Sequence, residues 1–211
     1  MNKNEQFVIA INRELGSGGR TIGRKLAEKL GVRFYDKTLI RELQKKFHLT
    51  VEEIEKIKGQ KQGWWADFAR IMSIGQTDVY TYEAKMGQEP ELITTDDIFK
   101  AETEILKGIA EAESCVITGR CGFHVFRNHP NHINIFIQAP MEYRVERVAR
   151  KQNMTPEEAR KTIDKIDEMR ENYVKKYTKS SRYDTRNYQL VISAEGKTED
   201  EMVDLILDYI G

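Results

Sequence analysis

The chain has 211 residues, of which 34 are basic and 34 acidic, so no global field draws it to a nucleic acid polymer or an anionic membrane. That length suits one α/β domain with a substantial core. No apolar run is long enough to span a bilayer, Met1–Glu5 lacks the apolar stretch of a secretory leader, and the two cysteines make neither a zinc site nor a disulfide framework. A cytoplasmic protein with reduced thiols at Cys115 and Cys121 is the expectation.

The first predicted element is a buried strand over Phe7–Ile11, a continuous apolar run of the kind covered on both faces. A glycine-rich turn opens a helix on which Ile22, Leu26 and Leu30 recur every four residues, and Gly31 stands where that helix should stop. Val32, Phe34 and Tyr35 predict a second strand ending at Asp36, which completes a βαβ unit and implies a parallel sheet. Thr50-Val51-Glu52-Glu53 is a capping box, and from there to about Pro90, through Trp64 and Trp65, the chain reads as an inserted helical segment. Thr94-Thr95-Asp96 begins another helix. Cys115–Thr118 predicts a third strand, cut off by Gly119–Gly122, and Ile133–Ile137 a fourth, ended by Ala139-Pro140. Helices follow through Met141, Val145 and Val148, and from the capped start Thr155-Pro156-Glu157-Glu158 to about Tyr177. Leu190–Ile192 is the last strand, and Thr198-Glu199-Asp200-Glu201 caps a final helix. Five strands alternating with helices predict a three-layer α/β fold, whose strand order the sequence leaves open.

The segment Arg13-Glu14-Leu15-Gly16-Ser17-Gly18-Gly19-Arg20-Thr21 carries the chemistry. A strand feeding a glycine-rich turn that opens a helix brings several backbone N–H groups and the positive helix end onto one anion. The regular phosphate loop reads G-x-x-x-x-G-K-[ST]. Aligned on Gly18, this chain has Arg13 for the first glycine, Gly19 for the lysine and Arg20 for the hydroxyl residue, with Thr21 one step later. Arg20 or Arg13 is the candidate replacement for the missing ammonium. Arg120 follows the carboxyl end of the third strand, the edge where open α/β sheets bind ligands. Arginine suits phosphate because its planar fork binds two oxygens at once and keeps its proton. Arg147 and Arg150 lie three apart on one predicted helix, and Asp167 and Arg170 three apart on the next. The four histidines, His48, His124, His129 and His132, have neither metal-ligand spacing nor a nucleophile partner.

In this order and spacing, the chain resembles the cytidylate kinase-like branch of the P-loop nucleoside monophosphate kinases. The resemblance rests on the Arg13–Thr21 segment, Phe34-Tyr35-Asp36-Lys37, Ile117-Thr118-Gly119-Arg120-Cys121, Phe136–Pro140 with Arg144, Arg147 and Arg150, and Ile163–Tyr173. It implies transfer of the ATP γ-phosphoryl group to CMP or dCMP with magnesium. It also implies one P-loop kinase-like domain over 1–211, built of a core, a helical insert at about 48–93 that binds the acceptor nucleotide, and a helical lid at about 147–186. Carried over residue by residue, Gly16, Ser17, Gly18, Gly19, Arg20 and Thr21 would hold ATP with Arg13 and Arg147, and Thr21 would supply the hydroxyl for Mg2+. Arg120 would grip the acceptor phosphate, Arg170 would reach the transferring group, and Asp167 would hold the acceptor nucleotide or orient Arg170. Asp36 matches the aspartate beside the acceptor site. Thr118 departs from the family, standing where related cytidylate kinases have an acidic residue near the metal.

Each of these residues also has a plain structural reading: a tight strand–helix connection, a surface ion pair, a solvated helix face. The second functional reading is a module that holds a nucleotide with little turnover, favoured by the missing lysine. Acceptor choice and oligomeric state are not legible.

Overall fold

Apolar runs with no alternation need cover on both faces, which strands gain inside a parallel sheet with helices packed on it. The computed structural model describes residues 1–37 and 95–211, with the side chains of Thr95, Asp97 and Ile98 left aside. The insert expected at about 48–93, with the Thr50 capping box, Trp64, Trp65 and His48, lies outside the described residues. In chain order the elements are β1 (Val8–Arg13), α1 (Gly19–Leu30), β2 (Arg33–Tyr35), α2 (Thr95–Ala112), β3 (Cys115–Thr118), α3 (Gly122–Val125), β4 (His132–Gln138), α4 (Met141–Gln152), α5 (Pro156–Thr178), β5 (Leu190–Ser193) and α6 (Glu199–Ile210). A 3-10 turn at Thr185–Asn187 precedes β5.

The chain divides into two compact units. One is Met1–Leu39 with Glu113–Gly211, the other Ile40–Ala112. Of the second, α2 is described; Ala101, Ile105, Leu106 and Ile109 give it a buried stripe at helical spacing. The first unit holds the sheet. All five strands are parallel in the order β2-β3-β1-β4-β5, with β1 at the centre in register with both neighbours: Val8 opposite Cys115 and His132, Ile11 opposite Thr118 and Ile135. The four carboxyl ends that matter, those of β1, β2, β3 and β4, therefore lie side by side.

One sheet face carries Ile9, Ile11, Ile133, Ile135 and Ile137. It packs against Ile22, Leu26 and Ala27 of α1 and Met202, Val203, Ile206 and Ile210 of α6. Burial of such a side chain contributes about 1.5–3 kcal/mol, so this layer sets the position of the α1 amino end. A smaller cluster of Val145, Val148, Ala159 and Ile163 locks α4 to α5, with Leu15 packed on it. Gly31 ends α1 at φ 66°, its N–H on the carbonyls of Ala27 and Glu28. Thr155 and Thr198 both form complete capping boxes, with Glu158 and Glu201. No helix among the described residues is long and apolar enough to cross a membrane.

Two details differ from the sequence reading. β1 runs on to Arg13, two residues past the apolar run, because Asn12 and Arg13 still pair with Phe136 and Ile137 of β4. And the segment after Gly119 is not only a turn: it winds into the short α3.

Candidate active site

The glycine turn lies between the end of β1 and the start of α1. Gly16 and Gly18 take φ 88° and 85°, the left-handed region that glycine enters freely. Gly16 also has no room for a side chain: a Cβ there would lie 2.8 Å from both Cβ and the carbonyl oxygen of Arg144 on α4. The Ser17 hydroxyl and N–H both donate to the Glu14 carbonyl, at 3.0 and 3.3 Å, so Ser17 braces the turn from inside. Gly18 caps α1 without a side-chain hydrogen bond, and the first turn of α1 contains no acidic residue. The leading N–H groups of that helix thus lack an internal partner and face the turn with the positive end of the dipole.

The turn is fastened from below by a buried ion network. Asp167 on α5 is 7 % exposed and accepts the Leu15 N–H at 3.1 Å, Nη1 of Arg144 at 2.7 Å, and Nη1 of Arg170 and of Arg182 at 3.3 Å each. Arg182, 1 % exposed, also donates to the Arg13 carbonyl, while its own N–H is received by Glu171 at 3.0 Å. Arg144 reaches the Leu15 carbonyl at 3.4 Å, and Glu14 accepts the Ala139 N–H at 3.0 Å. Three arginines thus share one carboxylate, and the backbone of Arg13–Leu15 is tied to α4, α5 and the Arg182 loop at once. Breaking a buried pair of this type costs about 3–5 kcal/mol, because the remaining charge is stranded.

Above the network the guanidiniums of Arg13, Arg120, Arg170 and Arg182 come together. Burial and the neighbouring charges of Arg170 and Arg182 push the Arg13 guanidinium down to about 9, with Asp36 acting the other way and Arg120 adding to the depression. Arg170 is also lowered, by burial first, with Asp167 opposing. Arg120 lies over the Tyr173 ring at 5.6 Å, and Arg182 over Tyr183 and Phe136 at 5.0 and 5.8 Å. Gly119, Arg120 and Cys121 are three consecutive left-handed residues, at φ 82°, 55° and 53°. For the two non-glycines this is a strained backbone, of the sort held in place around ligand sites. At the end of β3 the Thr118 hydroxyl is fully buried with no hydrogen-bond partner.

Of the residues singled out in the sequence, Arg13, the 16–19 turn, Arg120 and Arg170 converge. Asp36 stands beside them at the end of β2, where it accepts Nε of Arg20 at 2.7 Å. Arg20 is therefore turned toward the β2 end, and Asp167 is occupied by the network. Thr21 is in the first turn of α1. Arg147 lies across Gly18, 3.3 Å from where a Cβ would be, and is paired with Glu199 at the start of α6. Arg150 stands apart, exposed and paired with Glu146 of its own helix at 3.7 Å. Sequence reasoning missed the role of Glu14, Arg144, Arg182 and Tyr173. Arg182 sits in a polar stretch, Ser180–Asp184, with no periodic or motif signal, although it is the most deeply buried charge of the site.

A cavity of about 450 Å3 opens on the other side of Asp167, lined by Met141, Ile163, Asp164, Glu168, Glu171 and Tyr183 among others. Arg144 also lines it, but Asp164, Asp167, Glu168 and Glu171 make its wall mainly acidic, the wrong sign for phosphate.

Known proteins share the sequence pattern and the fold. A solved structure of an uncharacterized protein from Eubacterium ventriosum matches with a TM-score of 0.70 and 26 % identity, covering 97 % of this chain and 98 % of that one. Shikimate kinase from Bacteroides thetaiotaomicron shares the fold at a TM-score of 0.51 and 16 % identity, over 97 % and 98 % of the two chains. A cytidylate kinase from Methanopyrus kandleri is 24 % identical, over 94 % of this chain and 90 % of that protein. The family model described as cytidylate kinase-like matches residues 8–195, from the first strand through the Arg182 loop and β5, and the chain belongs to that family.

Proposed function

We propose that this protein is a nucleotide kinase that transfers the γ-phosphoryl group of ATP to a pyrimidine nucleoside monophosphate, CMP or dCMP. The observation that carries the reading is the meeting of four guanidiniums, Arg13, Arg120, Arg170 and Arg182, beside an uncapped helix amino end. Phosphoryl transfer asks little covalent chemistry of a protein; it asks for in-line alignment and positive charge around the moving group. A phosphate oxygen of the acceptor would attack Pγ, the bond from Pγ to the β,γ-bridging oxygen would break, and ADP and a nucleoside diphosphate would leave. The 16–19 turn fits the β-phosphate. Arg120, at the β3 end, fits the acceptor phosphate, and Arg170 fits the group in transit between them. Asp167 serves to hold Arg170 in place.

Magnesium fits the same site: the Thr21 hydroxyl and phosphate oxygens would hold it, in keeping with an ion that takes one or two protein ligands and several waters, and it would neutralise charge between the β- and γ-phosphates. Buried free thiols at Cys115 and Cys121 support a cytoplasmic setting.

The second reading, a nucleotide-holding module without turnover, draws on Gly19 in the lysine position. A coupled assay of ADP release, run with each nucleoside monophosphate in turn, separates the two. Turnover with CMP or dCMP above the other acceptors is expected. ADP release no faster than without acceptor, across the whole set, would leave only the binding module.

A further inference from the structure

We infer that the cation of the phosphate loop has moved from the first turn of α1 to the end of β1, where Arg13 does its work, and that Gly19 is glycine because Arg13 needs its space. This rests on the nucleotide-phosphate reading of the site and names the residue that meets the β- and γ-phosphates.

Three observations carry it. The Arg13 side chain runs between two glycines from different elements. A Cβ on Gly19 would lie 2.6 Å from Arg13 Cβ and 3.0 Å from its Cγ. A Cβ on Gly119 would collide with Nη1 of Arg13 and lie 3.4 Å from its Cζ. The guanidinium could swing away from Gly119, but the contact at Gly19 is with the root of the side chain on a backbone held by a packed sheet, so a lysine at position 19 and an arginine at position 13 exclude each other. Second, no hydrogen bond or close ion pair ties the guanidinium to a described residue, and Arg120, Arg170 and Arg182 crowd it, with the more distant charge of Asp36 acting the other way. A crowded cation without an acceptor is costly, and a multivalent anion is the ligand that resolves it. Third, Arg20, the other candidate, has its Nε on Asp36.

The geometry also explains the strand. β1 extends to Arg13 by pairing with Ile137, and the Arg13 carbonyl is held by Arg182. The stem of the new cation therefore leaves a rigid strand end, which positions it better than a loop would.

The test uses the full-length protein and two variants. Arg13→Gln keeps the stem beside Gly19 and removes the charge. ATP affinity, measured by equilibrium titration, is expected to fall at least ten-fold, with AMP affinity changed less than two-fold. Where the wild type turns over, kcat should drop by about 10³ or more, the scale of a cation at the transferring phosphoryl group. The double variant Arg13→Gly, Gly19→Lys rebuilds the regular loop and should recover ATP affinity to within ten-fold of wild type. ATP affinity of Arg13→Gln within two-fold of wild type overturns the inference. So does an equal loss for ATP and AMP, which would mark Arg13 as structural. A wild type that binds ATP without turnover defeats the kinase reading alone, since the ATP and AMP titrations still decide the role of Arg13.

Discussion

Arg13 and Asp167 show the two ways a buried charge can be treated. Asp167 is surrounded by donors: one backbone N–H and three guanidiniums within 3.3 Å. Arg13 is buried among other arginines, and burial first, then the charges of Arg170 and Arg182, push it down to about 9 against the opposing charge of Asp36. The sign of the stability effect follows. A cation whose folded-state value lies below its unfolded one destabilises the folded protein at neutral pH, and that penalty fades as pH rises through about 9, where the folded state releases the proton and the unfolded chain keeps it. Arg13→Gln should therefore melt at a higher temperature than wild type at pH 7 without nucleotide, by about 2–4 °C for each kcal/mol relieved, and the gap should narrow toward pH 10. Thermal unfolding of both proteins across that range checks it. A variant that melts lower at pH 7 would mean that Arg13 holds the apo fold together. Loss of stability paired with gain of binding is the usual bargain at ligand sites.

Among the elements, the loop and α4 depend on each other through Gly16. Its φ of 88° alone makes alanine costly, and a Cβ would also press on the Arg144 backbone at 2.8 Å. Gly31, at φ 66° with open space around it, isolates the first effect. Gly31→Ala should cost about 1 kcal/mol for the left-handed backbone, and Gly16→Ala should cost clearly more, about 2–4 kcal/mol once strain and displacement are combined. Urea unfolding of the two variants gives the comparison; equal costs would show that the loop is not clamped on α4.

The same contrast shows what the sequence disclosed. Among the described residues, strands read from apolar runs and the helices read from the capping boxes at Thr155 and Thr198 fell into place, because those signals are local: Thr155 with Glu158 and Thr198 with Glu201 need only each other. The β1 end was misjudged by two residues because its pairing partner, Ile137, lies far along the chain. Gly16–Thr21 announced a tight turn opening a helix, and the left-handed Gly16 and Gly18 and the start of α1 at Gly19 are that turn. Asp167 read as a group that holds the acceptor nucleotide or orients Arg170; the contact to Arg170, three residues on, was legible, but nothing in its neighbourhood says that Arg144 and Arg182, from other elements, would converge on it. Gly19 read as a loss; that the Arg13 stem lies beside it, with Cβ 2.6 Å from where a Gly19 Cβ would be, could not be read from the sequence.

For the whole molecule, zero net charge and a strongly positive site are compatible because the charges are sorted in space. The lysines of α1 are spent on α6: Lys25 on Asp200 at 3.0 Å and Lys29 on Asp204. These exposed pairs contribute little to stability, but they neutralise the lysine charge of α1. The arginines of the site face one another. A ligand that binds there should be recognised by its phosphates, and its binding should stabilise the fold in proportion. At a concentration 100 times the dissociation constant, a ligand adds about 2.7 kcal/mol, or about 5–11 °C at this chain length. ATP and inorganic pyrophosphate should both raise the melting temperature in that manner, adenosine should not, and the shifts should shrink as salt rises from 50 to 500 mM, the arginines being partly screened. If adenosine raised it as much as ATP, recognition would lie with the base and sugar, and the convergence of guanidiniums on the α1 amino end would be a structural feature without a phosphate to serve.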